Sequence, residues 1–306
     1  MRVPRNAVIE KSRPLAYSGV FVTSPTASPP KGISVPIPGT LSLVLPAFNE
    51  EENIEIVVRQ ALAVLPDFTT DFEVIVVNDG SRDSTAEIID RLAREDARVK
   101  PVHHVVNQGY GGAVKTGFQA STCEYVMFMD ADRQFDIHDI RLLSPFVPLF
   151  DIVAGFRMER SDPIIRRINA EIFNLAVRIL FDVHIRDLDC AFKIFRGDLI
   201  RSLELTSSGA LLNAETMAKL RRQGATMVQV GVPHYPRVAG TATGGNIKVI
   251  LRAMKGTVVL WLRMHRYTPP ASAPAPRPYY PLGDALIGTA SMAGMAVLGK
   301  LFRRRN

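Results

Sequence analysis

Apolar residues fall along this chain in short unbroken runs separated by polar, helix-patterned stretches. Leu41-Ser-Leu-Val-Leu-Pro46 is the first such run. It leads into Ala47 to Ile54, where an Asn capping candidate and a first turn rich in Glu open a helix. Phe72 to Asn78 is a second strand and passes into Asp79-Gly80-Ser81-Arg82-Asp83-Ser84-Thr85, again strand, turn and helix start. A third strand is expected around Val102 to Val106, followed by a Gly-rich turn at Asn107-Gln-Gly109-Tyr-Gly111-Gly112 and a helix over Ala113 to Ala120. Tyr125 to Met129 is a run of five apolar residues that stops abruptly at Asp130-Ala131-Asp132-Arg133-Gln134, and Asp151 to Arg157 reads as a fifth strand. Such runs suit strands buried on both faces. Alternating with helical patterns, they predict an α/β fold with βαβ units, right-handed crossovers and a mostly parallel sheet.

The flanks read differently. Residues 1–39 scatter Pro, Ser and Arg without a sustained apolar core or a cleavage-site pattern, so a flexible lead-in is expected ahead of a main body at 40–245. Residues 246–267 repeat at helical spacing. Lys248, Arg252, Lys255, Arg263 and Arg266 share one narrow face, while Ile247, Ile250, Met254, Val258, Trp261 and Leu262 share the adjoining one, and no acid interrupts them. Such a helix suits an anionic membrane surface, and its bland alternative is a helix packed on the body with a solvated basic face. Pro-rich residues 268–281 read as an extended spacer without packing partners. Residues 282–306 hold an uncharged stretch, Ala285 to Gly299, before Arg303-Arg304-Arg305. That stretch is shorter than the ~20 residues of an ordinary spanning helix, leaving an inserted anchor, a docked helix and disorder as readings.

Composition narrows the picture modestly. A chain of 306 residues, 47% hydrophobic and 22% charged, can bury one large core with tails. Cys123 and Cys190 lie in apolar sequence without metal-like or redox spacing, as buried reduced thiols do. The net charge of +7 fits anionic lipid or phosphorylated substrates. Nucleic acid is not an expected partner, because aromatics do not interleave with the basic residues.

The candidate chemistry sits at strand ends, where α/β sheets bind ligands. Asp130 and Asp132 are hard oxygen donors, with Gln134 alongside, and suit Mg²⁺ or Mn²⁺ that keeps positions open for substrate phosphates. Alone, Asp-x-Asp is equally a turn and a helix start. Arg157, with Arg160, Arg166 and Arg167 behind it, supplies guanidiniums whose planar fork grips two phosphate oxygens at once. His234 either orients a phosphate or is merely solvated or packed.

Taken in order, Leu45-Pro46-Ala47-Phe48-Asn49-Glu50, Val77-Asn78-Asp79-Gly80-Ser81-Arg82-Asp83, Asn107-Gln108-Gly109 and Asp130-Ala131-Asp132-x-Gln134 resemble the successive motifs of family 2 glycosyltransferases. The likeness is nearest to the polyprenyl-phosphate, dolichol-phosphate mannose synthase-like branch and runs over about residues 40–245. It implies a Rossmann-like nucleotide-sugar-binding domain of the A-type glycosyltransferase fold, a nucleotide-sugar donor, a divalent metal and inversion at the anomeric carbon. By the same resemblance, Pro46, Ala47, Phe48, Glu50 and Asp79 hold base and ribose, with Asp130 and Ala131 beside them. Asp187, or less readily Asp189, lies near the reacting centre, Lys193 and Arg237 meet the acceptor, and Glu215 matches a family acid whose alternative is a surface salt bridge. The branch usually carries a Ser-Lys pair after the Arg, whereas Thr241-Ala-Thr243-Gly244-Gly245 stands here.

The expected function is a metal-dependent inverting transfer of a hexose to a polyprenyl phosphate, at the cytoplasmic face of the cell membrane by a peripheral or tail-anchored protein. A saccharide hydroxyl in glycan or glycolipid assembly is the alternative acceptor, and it would require Asp187 as a base. A nucleotide-sugar-binding module without turnover is a third reading, opposed by the intact Asp130, Asp132 and Gln134.

Overall fold

The structure is a computed structural model that describes residues 20–22, 35–158, 164–209, 211–236 and 247–277, with 20–22, 164–170 and 247–255 described as backbone only. In chain order the strands are β1 (Val20–Val22), β2 (Leu41–Ala47), β3 (Phe72–Asn78), β4 (Val99–His103), β5 (Tyr125–Met129), β6 (Ile152–Arg157), β7 (Phe192–Arg196) and β8 (Met227–Val232). The helices are α1 (Ile54–Val64), α2 (Thr85–Glu95), α3 (Tyr110–Ala120), α4 (Ile140–Leu143), α5 (Ile164–Phe181), α6 (Gly197–Arg201), α7 (Leu211–Arg222) and α8 (Ile247–Arg266).

One eight-stranded sheet runs β1-β8-β6-β7-β5-β2-β3-β4. Every residue of β3 and β5 is buried, and in β2 only Pro46 is partly open, as strands covered on both faces require. Pairing is parallel except at β7, which runs antiparallel to both β5 and β6. Helices α1, α2 and α3 bury one stripe each, whereas α7 is buried all round from Leu212 to Leu220. In α1 the stripe is Ile54, Val57, Val58, Ala61 and Val64. On α3 the approach to the sheet is closer still, since a Cβ on Gly117 would stand 2.2 Å from Cγ1 of Val44.

Because β3 and β4 lie to one side of β2 and β5 to the other, the strand order reverses between β2 and β5. The carboxyl ends at this switch point are Ala47 and Met129, where doubly wound sheets open a ligand crevice. Register sets Met129 opposite Phe192, so the segment entering β7 lies at the same end, and Arg157 pairs with Val232 beside it.

Three expectations are corrected. β4 lies three residues earlier than read, because the chain leaves the sheet at His104, whose N–H bonds to Asn78 O at 2.9 Å, and Val105 and Val106 stand in solvent. The lead-in is not wholly without structure, since β1 pairs in parallel with β8 and caps its open edge. The Pro-rich spacer has packing partners. Arg277 N–H reaches both oxygens of buried Asp151, at 3.2 and 3.1 Å, while the guanidinium donates to Phe150 O at 2.7 Å, to Tyr125 Oη at 2.8 Å and to Val147 O. These groups gather at the sheet end opposite the switch point.

No helix among the described residues is long and apolar enough to cross a membrane. The stretch 282–306 lies outside the described residues.

Candidate functional site

The loops after β2 and β3 are sewn together by side chains that accept from backbone. Asn49, in the left-handed region with φ 56°, donates its N–H to Ser81 Oγ at 3.0 Å and accepts from Arg82 N–H at 2.8 Å. Glu50 N–H donates to Thr85 Oγ1 at 2.9 Å, Glu51 accepts from Ser84 N–H at 2.9 Å, and Glu50 itself accepts from Asn53 Nδ2 at 2.7 Å. Pro46, Ala47, Phe48 and Glu50 are thus carried on a braced rim, with the Phe48 ring exposed at its top.

Asp79 follows β3 directly and is buried. Its N–H bonds to Ala47 O at 2.9 Å, and its Oδ1 accepts from Gln108 N–H at 2.8 Å and meets His104 Nδ1 at 2.7 Å. The far nitrogen of that ring meets Thr116 Oγ1 on α3 at 2.9 Å. Asp79 thereby ties three strand ends together, its backbone N–H reaching the end of β2 and its carboxylate the loop after β4. Gly80 needs its φ of 68° here, because a Cβ would stand 2.8 Å from Asn107 N.

Across the switch point, Asp130 and Asp132 emerge from β5. Asp132 is buried and accepts from Gln134 N–H at 3.1 Å, bending the loop through Arg133 at φ 62°. Gln134 O accepts from Tyr235 N–H at 2.9 Å and Gln134 Nε2 donates to Tyr235 O at 3.3 Å, clamping this loop to the exit of β8. Phe135 stacks on Phe192 at 5.5 Å and takes the His234 ring edge-on at 5.3 Å, so His234 is packed. Tyr110 bonds to Asp130, and burial together with the charges of Asp130 and Asp189 pushes its phenol well above the ordinary range.

Asp187 and Arg157 form the other wall. Arg157 Nε donates to Asp187 Oδ2 at 2.7 Å and Nη2 to Oδ1 at 2.8 Å, a bidentate pair with little exposure on either side. Lys193, expected to meet the acceptor, is fully buried instead. Its ammonium donates to Leu188 O at 3.1 Å and to Cys190 O, and burial pulls its pKa down. It holds the 187–191 loop from below. Burial, then the nearby Asp187 charge, pushes the Cys190 thiol up to about 12. Burial raises Asp189, to which Asn213 donates at 3.2 Å.

Glu215 is also not a surface ion pair. It is buried, accepts from Thr206 N–H at 2.9 Å and Ser207 N–H at 2.6 Å, and pairs with Lys219 at 2.7 Å. Burial alone would raise this carboxyl, yet Lys219 and the two amides hold it lower. The loop it closes passes over the start of α3, where a Cβ on Gly111 would lie 2.6 Å from Gly209 N. Arg160, Arg237 and 241–245 lie outside the described residues, as do the side chains of Arg166 and Arg167.

Asp130 and Asp132 are hard oxygen ligands at a strand end, and the described residues contain no group of three ligating His, Cys, Asp or Glu there. That set fits Mg²⁺ or Mn²⁺ completed by ligand phosphates and does not fit a closed protein cage. His104 and Tyr110 carry site geometry that sequence reasoning did not assign. The one signal for each was position, just past a strand and inside the Gly-rich turn.

Residues 42–203 match the sequence family described as Glycosyl transferase family 2. The chain is 31% identical over 166 residues to an undecaprenyl-phosphate 4-deoxy-4-formamido-L-arabinose transferase of Pseudomonas fluorescens, covering 53% of this chain and 48% of that protein. It is 30% identical over 223 residues to glycosyltransferase AglD of Haloferax volcanii, covering 70% of this chain and 35% of that protein. It therefore spans about half or less of the length of these two relatives. Among solved structures it is similar in fold to glucosyl-3-phosphoglycerate synthase of Mycobacterium tuberculosis in complex with Mn²⁺, uridine-diphosphate-glucose and phosphoglyceric acid. The TM-score is 0.57 at 19% identity, over 76% of this chain and 82% of that one.

Proposed function

Because this chain belongs to glycosyl transferase family 2, we propose that it moves a hexose from a nucleotide-sugar to a polyprenyl phosphate, with inversion, at the cytoplasmic face of a membrane. That it is a glycosyltransferase follows from the family and its relatives. The acceptor is carried over from the undecaprenyl-phosphate transferase. The observation that carries the reading is the meeting at one switch point of the Asp130–Asp132 loop, the Asp79 loop and the Asp187–Arg157 pair.

In an inverting displacement the acceptor oxygen bonds to the anomeric carbon as the bond to the donor's diphosphate breaks. Asp130 and Asp132 would hold Mg²⁺ or Mn²⁺; when bound, the cation neutralises charge on the departing diphosphate. Solved complexes of the glucosyl-3-phosphoglycerate synthase carry Mn²⁺ with a nucleotide-sugar, which supports a divalent ion. Pro46, Ala47, Phe48, Glu50 and Asp79 hold the nucleoside on the braced rim, with Ala131 beside it. Arg157, aligned by Asp187, meets the acceptor phosphate together with Arg237, and Lys193 acts at one remove by fixing the 187–191 loop.

The same pair favours phosphate over a saccharide hydroxyl. A hydroxyl acceptor needs a base, whereas both oxygens of Asp187 accept from Arg157. A phosphate arrives already anionic, so positioning suffices. The test is turnover of a nucleotide-sugar panel with and without polyprenyl phosphate. Product that carries hexose on the lipid phosphate is expected, and transfer to saccharides alone would contradict the reading.

A further inference from the structure

Helix α3 is pressed close to its surroundings at two points. A Cβ on Gly117 would stand 2.2 Å from Cγ1 of Val44 on β2, and a Cβ on Gly111 would stand 2.6 Å from Gly209 N. Glu215 fixes the loop that carries Gly209 by accepting from the Thr206 and Ser207 amides. Phe118 lies edge-on to Phe128 at 5.9 Å and to Phe195 at 5.8 Å, which keys the helix to β5 and β7 as well. The two glycines set its position, since any side chain there would force it outward.

Two hydroxyls lead from this helix to the two carboxylates assigned to the donor. Tyr110, its first residue, donates to Asp130 beyond the end of β5, and its ring stands edge-on to Phe128 of that strand at 6.4 Å. Thr116, six residues on, has its Oγ1 2.9 Å from Nε2 of His104, and His104 Nδ1 meets Asp79 Oδ1 at 2.7 Å. The His104 and Asp79 side chains are 6% and 3% exposed, so water competes little for that bond. A carboxylate only accepts, so the ring presents Nδ1–H to Asp79, and the Thr116 hydroxyl serves Nε2 as donor to a neutral ring or acceptor from a charged one. The bond to Asp79 therefore holds in either charge state. Oδ1 also accepts from the Gln108 amide, and no described residue donates to Oδ2. That second oxygen is the one left for a ligand.

We propose that α3 is the positioning element of the donor site, with Tyr110 holding Asp130 for the divalent cation and His104, steadied by Thr116, holding Asp79 for the nucleoside. The inference rests on the donor reading of those two carboxylates and names the residues that aim them. Tyr110 and His104 act through the carboxylates they hold. Removing such a partner from a metal-bearing carboxylate costs about 10–100-fold in metal affinity.

The test is calorimetric titration of the full chain with uridine, guanosine, cytidine and adenosine diphosphate, with and without Mn²⁺, the tightest binder being used for the variants. Tyr110→Phe keeps the ring on Phe128 and removes only the hydroxyl. Without metal it should bind nucleotide as wild type does, while the gain in affinity that Mn²⁺ brings falls about tenfold. His104→Gln sets its amide where Nε2 stood, keeping Thr116 and losing Asp79. It should weaken binding about tenfold with or without Mn²⁺ and leave the metal-dependent gain intact. His104→Asn sets an amide N–H where Nδ1–H stood and should bind nearly as wild type does. An unchanged Mn²⁺ gain in folded Tyr110→Phe overturns the proposal, as do His104→Asn and His104→Gln variants that bind alike. A loss shared equally by the metal-free and metal-bound titrations of Tyr110→Phe marks general loosening of the site and overturns it too. A wild type that binds none of the four nucleotides, or gains nothing from Mn²⁺, removes the donor reading and the proposal with it, and is told apart because no variant is involved.

Discussion

Replacing Asp187 by Asn separates positioning from proton transfer at the site. The Asp187 and Arg157 side chains are 5% and 12% exposed and share two short charge-assisted bonds. Losing one charge of so shielded a pair costs about 2–3 kcal/mol, below the 3–5 kcal/mol of full truncation because the amide oxygen still accepts one bond. For a chain of this size that is a fall in Tm of roughly 3–5 °C, leaving folded protein to assay. Held by one bond instead of two, Arg157 swings off its aim, so the KM for polyprenyl phosphate should rise and kcat/KM should drop by about a hundredfold. Donor affinity, set on the other wall, should not change. Assays at saturating donor, with the acceptor varied across pH, read these quantities, and Arg157→Met combined with Asp187→Asn should be little worse than Arg157→Met alone. If Asp187 instead removed a proton, the variant would lose a further ~10²–10⁴ in kcat and the acidic limb of the pH profile would vanish. That outcome, or an unchanged acceptor KM, refutes the positioning argument.

Two further outcomes follow from individual groups. Asp79→Ala should weaken nucleoside diphosphate binding about tenfold by calorimetry with little change in kcat, since it removes the tie between the Gln108 amide and His104. Asp139 is raised from 3.8 to about 6, chiefly by burial. The folded state therefore holds this proton after the unfolded chain has released it, so Asp139's contribution is full below about pH 4 and is lost as pH rises to about 6. Asp139→Asn should gain stability over wild type across that window, by about 2–3 kcal/mol at most, in denaturant melts at pH 4 and pH 7.

Much of the scaffold was legible because it depends on local pattern. Phe72–Asn78 and Tyr125–Met129 lie where the apolar runs put them, and the mostly parallel sheet follows from strands apolar on both faces. What escaped reading depends on partners far apart in sequence. Nothing local to Phe192–Arg196 announces a strand that inserts antiparallel between β5 and β6. The Arg277 anchor depends on a carboxylate 126 residues earlier, which Pro-rich composition does not reveal. At the site, types were readable and orientations were not. Arg157 and Lys193 look alike as cations on paper. One is turned to Asp187 at the crevice wall and the other runs beneath it to backbone carbonyls.

The most direct measurement of the central claim is hexose transfer from the preferred nucleotide-sugar by wild type and by Asp132→Ala, with Mg²⁺ or Mn²⁺ titrated against a chelator. Wild type should show metal-dependent transfer, abolished by chelation and restored by excess cation. The variant should melt as wild type does yet show no transfer and no metal-dependent gain in donor affinity. Normal turnover by Asp132→Ala, or by wild type in excess chelator, would contradict it.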